Sequence, residues 1–345
     1  MAAQDQIKLG IVRLIEARLG PNSNVQVGHL TPIIGGISSE IWSFDGRWLD
    51  GDVQNERSLI LRRASPTELV SGNRADEYNL LKSLEKTAVS SPRVYWLDED
   101  GEWLERPAMI MEKAPGTADR DLLSERNKRR LGLDERIGLG RQMAEALAEI
   151  HRVDVATISF GQSGTPLHPA LEQLGFYDDE VRKAETEPMP ELLLASLWLH
   201  EHLPSPPARA SLVHGDFRPA NVLVVGSQLT AVLDWEFAHV GDPVEDLGWY
   251  LSSYYKSEHL IEEGWSAEDF LHAYERRLGA RADRAAIRFW AVFCLYKLAS
   301  MTMAAIAAAA AGDNSRLGAS ANFILRSLLE NTLRDMTGLA SNDLT

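Results

Sequence analysis

Near residue 112 the sequence changes texture, and that change limits the fold more than any single motif does. Before it, runs rich in β-branched and aromatic residues alternate with turn residues: "NVQVGHLTPII", "SEIWSFDGRWL" and "RSLILRR", joined by "GG" and by the polar stretch "DGDVQNE". "GNRADEYNLLKSLEKTA" follows, with Glu77, Leu81 and Leu84 on one helical face, and then two more strand-like runs, "SPRVYWLDEDG" and "RPAMIMEK". Three strands, a helix and two strands predict a small antiparallel-sheet lobe over residues 1–112. After Gly116 the pattern turns helical, as in "LDERIGLGRQMAEALAEIHRV" and "MPELLLASLWLHEHL". Only "ASLVHGDF", "NVLVVG" and "LTAVLDWE" interrupt it with short β-rich runs, so residues 113–345 are expected to form a larger, mainly helical lobe.

Composition narrows the partners. With 345 residues and 45% apolar content the chain can bury a sizeable core in two sub-domains. A formal net charge of −15 argues against a nucleic-acid partner, which calls for a basic face that releases counterions. Cys294 is the single cysteine, so no internal disulfide and no cysteine zinc site can form, and a reducing, cytoplasmic setting is expected. Its surroundings, "FWAVFCLYKL", read as core. Ile7, Ile11, Leu14, Ile15 and Leu19 recur at helical intervals among charges, which predicts an amphipathic helix in place of a signal peptide. The run "AVFCLYKLASMTMAAIAAAAA" contains Lys297 and many weakly apolar alanines, so a buried helix is expected there and no membrane span. His151, at the end of "MAEALAEIH", is expected to favour the helix dipole.

The chemistry concentrates in "VHGDFRPANVL" and "LDWE". Asp216 and Asn221 lie five positions apart, and two apolar runs around "GSQ" predict a hairpin that brings Asn221 and Asp234 to one edge, next to Asp216. Such an oxygen-rich set suits Mg²⁺, a hard cation held by one or two protein oxygens together with phosphate and water. Phosphoryl transfer needs a carboxylate for the proton of the attacking hydroxyl, oxygens for the metal, and a cation for the charge on the moving group. Asp216 suits the first role, Asn221 and Asp234 the second, and Arg218 the third.

"HGDFRPAN", followed by "LDWE" and "GDPVEDLGW", resembles the aminoglycoside phosphotransferase family, over nearly the whole chain. The resemblance implies an α+β, protein-kinase-like bilobal fold: a nucleotide-binding N-lobe, residues 1–112, and a catalytic and acceptor-binding C-lobe, residues 113–345. It implies a phosphotransferase that uses ATP or GTP with Mg²⁺ and an alcohol group as acceptor. "GGISSE" looks like the family's phosphate-covering loop, with Gly35, Gly36 and Ser38 against the nucleotide. "LILR" takes the place of the strand that carries the ATP-anchoring lysine; period-two alternation sets Ile60 toward adenine and Arg62 toward the phosphates, with Glu77 as the partner of Arg62. Residues 112–114, Glu112, Lys113 and Ala114, resemble the hinge that pairs with adenine. Asp246 and His214 resemble residues that brace the catalytic loop.

Arg62 stands where the family often has lysine, and its planar fork positions phosphate differently from a point charge. Together with "HGDFRPAN" and "SPRVYWLDEDG", it makes the chain similar to kinase-like domains fused to acyl-CoA dehydrogenases. A polycationic aminoglycoside calls for clustered carboxylates near the chain's end, where "LLENTLRDMTGLASNDLT" offers a few scattered ones. The expected acceptor is therefore a small neutral or amphipathic hydroxylated molecule, a metabolite, antibiotic or xenobiotic, with a hydroxyacyl thioester suggested by the sub-group. Arg62 also leaves open a nucleotide-binding module without transfer activity. The aromatic residues Trp249, Tyr250, Tyr254, Tyr255, Trp290, Phe293 and Tyr296 are expected mostly in helix packing.

Overall fold

The structure is a computed structural model that describes residues 2–33, 39–65, 74–159, 166–185, 188–310 and 318–337. It divides into two compact units, Met1–Pro115 with Ile158–Gly161, and Gly116–Thr157 with Gln162–Thr345.

The smaller unit opens with α1 (Ala2–Leu19), followed by β1 (Gln26–Val27), β2 (Thr31–Ile33), β3 (Ser39–Asp50) and β4 (Val53–Ala64). Then come α2 (Arg74–Leu84), β5 (Val94–Asp98) and β6 (Ala108–Glu112). The strands make one antiparallel sheet in the order β1-β3-β4-β6-β5, with β2 also on β3. Ile7, Ile11, Leu14 and Ile15 of α1 are buried in one cluster with Leu59, Leu61 and Ile110 of the sheet, which is why their spacing reads as a helical stripe. Each such side chain taken fully out of water contributes about 1.5–3 kcal/mol.

Two details depart from the pattern. "NVQVGHLTPII" is two short strands, because the register on β3 slips by one residue between them: Gln26 faces Arg47 whereas Thr31 faces Ser43. "DGDVQNE", expected as a connector, is mostly strand. Asp50 pairs with Val53 across a two-residue turn in which Gly51 has φ 58°, and β4 runs on from there.

The larger unit contains α3 (Leu133–Arg152), α4 (Pro169–Ala184), α5 (Pro190–Glu201), β7 (Ser211–Val213), β8 (Val222–Val225), β9 (Gln228–Val232) and β10 (His239–Gly241). It continues with α6 (Val244–Leu251), α7 (Lys256–His259), α8 (Ala267–Leu278), α9 (Arg284–Ala310) and α10 (Gly318–Thr337). β8 and β9 form the expected hairpin, and β10 pairs antiparallel with β7. α6 lies hard against α9: a Cβ on Gly248 would come within 2.4 Å of Trp290 Cβ. Among the described residues α9 is the helix long and apolar enough to cross a membrane, yet 61% of its most apolar window is buried within the protein. Cys294 is 2% exposed, and Trp249, Tyr250, Tyr255, Trp290, Phe293 and Tyr296 are buried packing residues, whereas Tyr254 is only partly buried.

Candidate active site

The loop after β7 carries Asp216. His214 and Gly215 donate their backbone N–H groups to Asp246 Oδ2 and Oδ1, at 2.7 and 2.8 Å. Gly215 has φ 79°, and a Cβ there would lie 2.6 Å from the Phe237 carbonyl oxygen, so the turn admits only glycine. The His214 ring lies 2.9 Å from the Leu233 carbonyl through Nε2, and its Nδ1 accepts the Asp216 N–H at 3.2 Å. A carbonyl only accepts, so Nε2 carries the proton and the ring is neutral; burial holds its pKa below the usual histidine range. His214 therefore braces the loop.

Asp216, 6% exposed, is held by Asn221, whose Nδ2 donates to its carbonyl at 2.9 Å and to Oδ2 at 2.8 Å. Oδ1 lies 3.0 Å from Arg218 Nε, without the alignment of a hydrogen bond, and is buried with no donor. Burial pushes the Asp216 carboxyl up to about 6; Arg218 pulls it down, and Asp234 adds to the rise. Asp234 thus lies within electrostatic reach of Asp216 and of Arg218. The hairpin accounts for this: the Leu233 N–H donates to the Asn221 carbonyl at 2.8 Å, and Asp234 follows with φ 66°. Asp216, Arg218, Asn221 and Asp234 are therefore gathered at one end of β8 and β9.

Two contributors were not anticipated. His151 lies in the last turn of α3 as expected, yet it is 2% exposed, with Nε2 at 3.0 Å from Asp246 Oδ2 and Nδ1 at 2.7 Å from the Tyr274 hydroxyl. Although burial alone would raise the Asp246 pKa, His151 and the His214 N–H hold it below the usual carboxylate range. Lys297, 2% exposed, donates to the Gly215 carbonyl at 3.1 Å. The signal for it was present as the one cation inside the apolar run "AVFCLYKLASMTMAAIAAAAA".

In the smaller unit, Leu59 and Leu61 point into the α1-side core, while Ile60 and Arg62 take the opposite face of β4. Arg62 Nη1 donates to Glu77 Oε1 at 2.6 Å, and both residues are buried. Arg74 shares the same carboxylate through Oε2 at 3.1 Å, a second cation that helical spacing did not single out. At the end of β6 the Glu112 and Lys113 N–H groups are taken by the Arg93 and Ser58 carbonyls, at 2.7 and 2.9 Å, so of residues 112–114 these two have no N–H to offer a ligand. Gly35, Gly36 and Ser38 lie outside the described residues.

No group of three or more His, Cys, Asp or Glu side chains among the described residues is arranged to hold a metal. The oxygen donors Asn221 and Asp234 suit a hard cation that takes its remaining ligands from phosphate and water.

A sheet unit with a buried cation–glutamate pair and a helical unit with a buried acid–amide loop place the chain in the kinase-like class of phosphotransferases. Residues 35–290 match the APH model, the phosphotransferase enzyme family, and the chain belongs to that family. Its relatives include mouse acyl-CoA dehydrogenase family member 10, 32% identical over 219 residues, 62% of this chain and 20% of the mouse protein. Human acyl-CoA dehydrogenase family member 11 is 23% identical over 75% of this chain and 34% of that protein. The chain thus spans a fifth to a third of the length of these relatives. Among solved structures, a Ralstonia eutropha protein assigned as an aminoglycoside phosphotransferase aligns with TM-score 0.68, 21% identity and coverage of 94% and 98%. An aminoglycoside phosphotransferase in complex with ADP and hygromycin B aligns with TM-score 0.60, 18% identity and coverage of 92% and 97%. These likenesses establish the kinase-like α+β fold.

Proposed function

We propose that the protein is a Mg²⁺-dependent small-molecule kinase that transfers the γ-phosphoryl group of ATP, or GTP, to an alcohol, with Asp216 as base. The observation that carries this reading is Asp216 Oδ1: a buried carboxylate oxygen with no donor, on a side chain fixed at its other oxygen by Asn221. An acceptor hydroxyl supplies the missing donor. As its oxygen bonds to phosphorus, the hydroxyl proton passes to Oδ1, the bond between phosphorus and the bridging oxygen breaks, and the nucleoside diphosphate leaves. Arg218, beside Oδ1, offsets charge on the moving group. Asn221 and Asp234 would hold the metal, which neutralises phosphate charge when bound.

Residues 1–112 take the nucleotide-binding part in this reading. Arg62, oriented by Glu77, would meet the phosphates, with Ile60 and the Ala114 N–H toward adenine. The neighbour bound to ADP and hygromycin B supports nucleotide use. For the acceptor, Asp335, one of the few acids near the chain's end, is buried and accepts the Ser253 N–H at 3.4 Å, which removes it from any cluster for a polycation. The relatives' name, acyl-CoA dehydrogenase family, favours a hydroxyacyl thioester among neutral or amphipathic alcohols. A cytoplasmic setting belongs to the same reading.

Incubation with ATP, Mg²⁺ and a metabolite pool, read by mass spectrometry, is expected to reveal a phosphorylated alcohol. Asp216→Asn is expected to lower transfer by about 10²–10⁴-fold, the range for a lost general base. Its nucleotide affinity, read by thermal shift, stays near wild type; loss of nucleotide binding in that variant counts against the assignment. Nucleotide binding by the wild type with no transfer to any alcohol favours instead a non-transferring module.

A further inference from the structure

The larger unit buries a set of charges that the transfer step itself does not use. Lys297 projects from α9, and its ammonium, besides the Gly215 carbonyl, lies 3.8 Å from Glu245 Oε1. Three rings enclose it: Phe237, Trp249 and Tyr177, with centroids at 5.0, 5.3 and 5.7 Å. Glu245 Oε2 lies 3.1 Å from His239 Nε2, and His239 Nδ1 lies 3.0 Å from the Phe237 carbonyl. A methionine of similar volume would fill the space without desolvating an ion. What the cation alone provides is its grip on two loops.

One loop holds the base. The Gly215 carbonyl belongs to the same peptide unit as the Asp216 N–H, so Lys297 holds one side of that plane while His214 Nδ1 holds the other. The second loop follows Asp234. Its Phe237 carbonyl is reached through Glu245 and His239, and its ring packs on the ammonium. The geometry points to Lys297 as a positioning residue: it fixes the Gly215–Asp216 peptide and, through Glu245 and His239, clasps the base-bearing loop to the loop that follows Asp234. The purpose of the clasp rests on the kinase reading, whereas its existence does not.

Hydrogen-exchange mass spectrometry on the full chain tests it. In Lys297→Met, amides in residues 211–222 and 234–241 exchange at least about tenfold faster, while α3 and most of α9 stay within about twofold of wild type. In Glu245→Gln, which keeps shape and removes charge, only residues 234–241 loosen, because the Gly215 carbonyl remains held. In parallel, transfer from Mg-ATP to water falls in Lys297→Met by about tenfold or more in kcat, with KM for ATP within about twofold. Unchanged exchange at residues 211–222 in folded Lys297→Met overturns the proposal. If that variant unfolds throughout, Glu245→Gln decides, and unchanged exchange at residues 234–241 overturns it. A wild type that transfers phosphate to nothing fails the kinase reading alone, since the exchange experiment still judges the clasp.

Discussion

The two units hold buried charge with opposite bias. In the smaller one Arg62 and Arg74 converge on the single carboxylate of Glu77, two cations on one anion. In the larger one Asp216 and Asp234 lie within reach of each other with Arg218 beside them, and Asp216 is buried at enough cost that its carboxyl rises to about 6. An unbalanced buried charge is costly unless an opposite charge arrives. On the proposed reading the paired cations of the smaller unit would meet phosphate, and the paired carboxylates of the larger one a metal ion and a hydroxyl proton.

Substitutions that keep or remove that sign break or sharpen the contrast. The largest effect is expected on the acidic side: Asp234→Ala removes the Mg²⁺ dependence of nucleotide affinity, a loss of about 10–100-fold for a metal-ligand contact, measured by titration with and without Mg²⁺. Unchanged metal dependence would sink its role. On the cationic side, Arg62→Met weakens ATP binding by about tenfold, the scale of one buried charged hydrogen bond, whereas Arg62→Lys, which keeps the sign, stays within about threefold. Equal losses in the two variants would show that the planar fork matters more than the charge. Next in size is the pH response: with Asp216 as the proposed base, kcat/KM is expected to fall as pH drops below about 6, tenfold per unit.

The smallest effect is on stability, and it runs against function. The folded pKa of Asp216 is raised above its ordinary 3.8, so the folded state binds the proton more tightly and stability declines as pH rises from about 4 to 6. At pH 7.5, without nucleotide or metal, Asp216→Asn is therefore expected to melt roughly 2–4 °C higher than wild type, the scale of about 1 kcal/mol in a domain of this size. The advantage vanishes near pH 4. A lower melting temperature at pH 7.5 would contradict the burial cost assigned to this carboxylate.

What could be read in the sequence was what local periodicity encodes. The α1 stripe, the inward face of α2 with Glu77, and the hairpin that carries Asn221 toward Asp234 all follow from spacing within a few turns or one short loop. The contacts of His151 and Lys297 did not, because their partners lie 95 and 82 residues away; a cation in an apolar run marks Lys297 as unusual without naming what it holds. The slip between β1 and β2 escaped for a related reason: alternation reports which face a residue takes and not where the register on the neighbouring strand shifts.

Asp246 joins backbone amides 31 and 32 residues before it to an imidazole 95 residues before it. Contacts that close such long loops form late on the folding path, because their entropy must be overcome before any contact rewards it. A nascent chain can thus have α3, α6 and the hairpin in place before the loop that carries Asp216 is oriented.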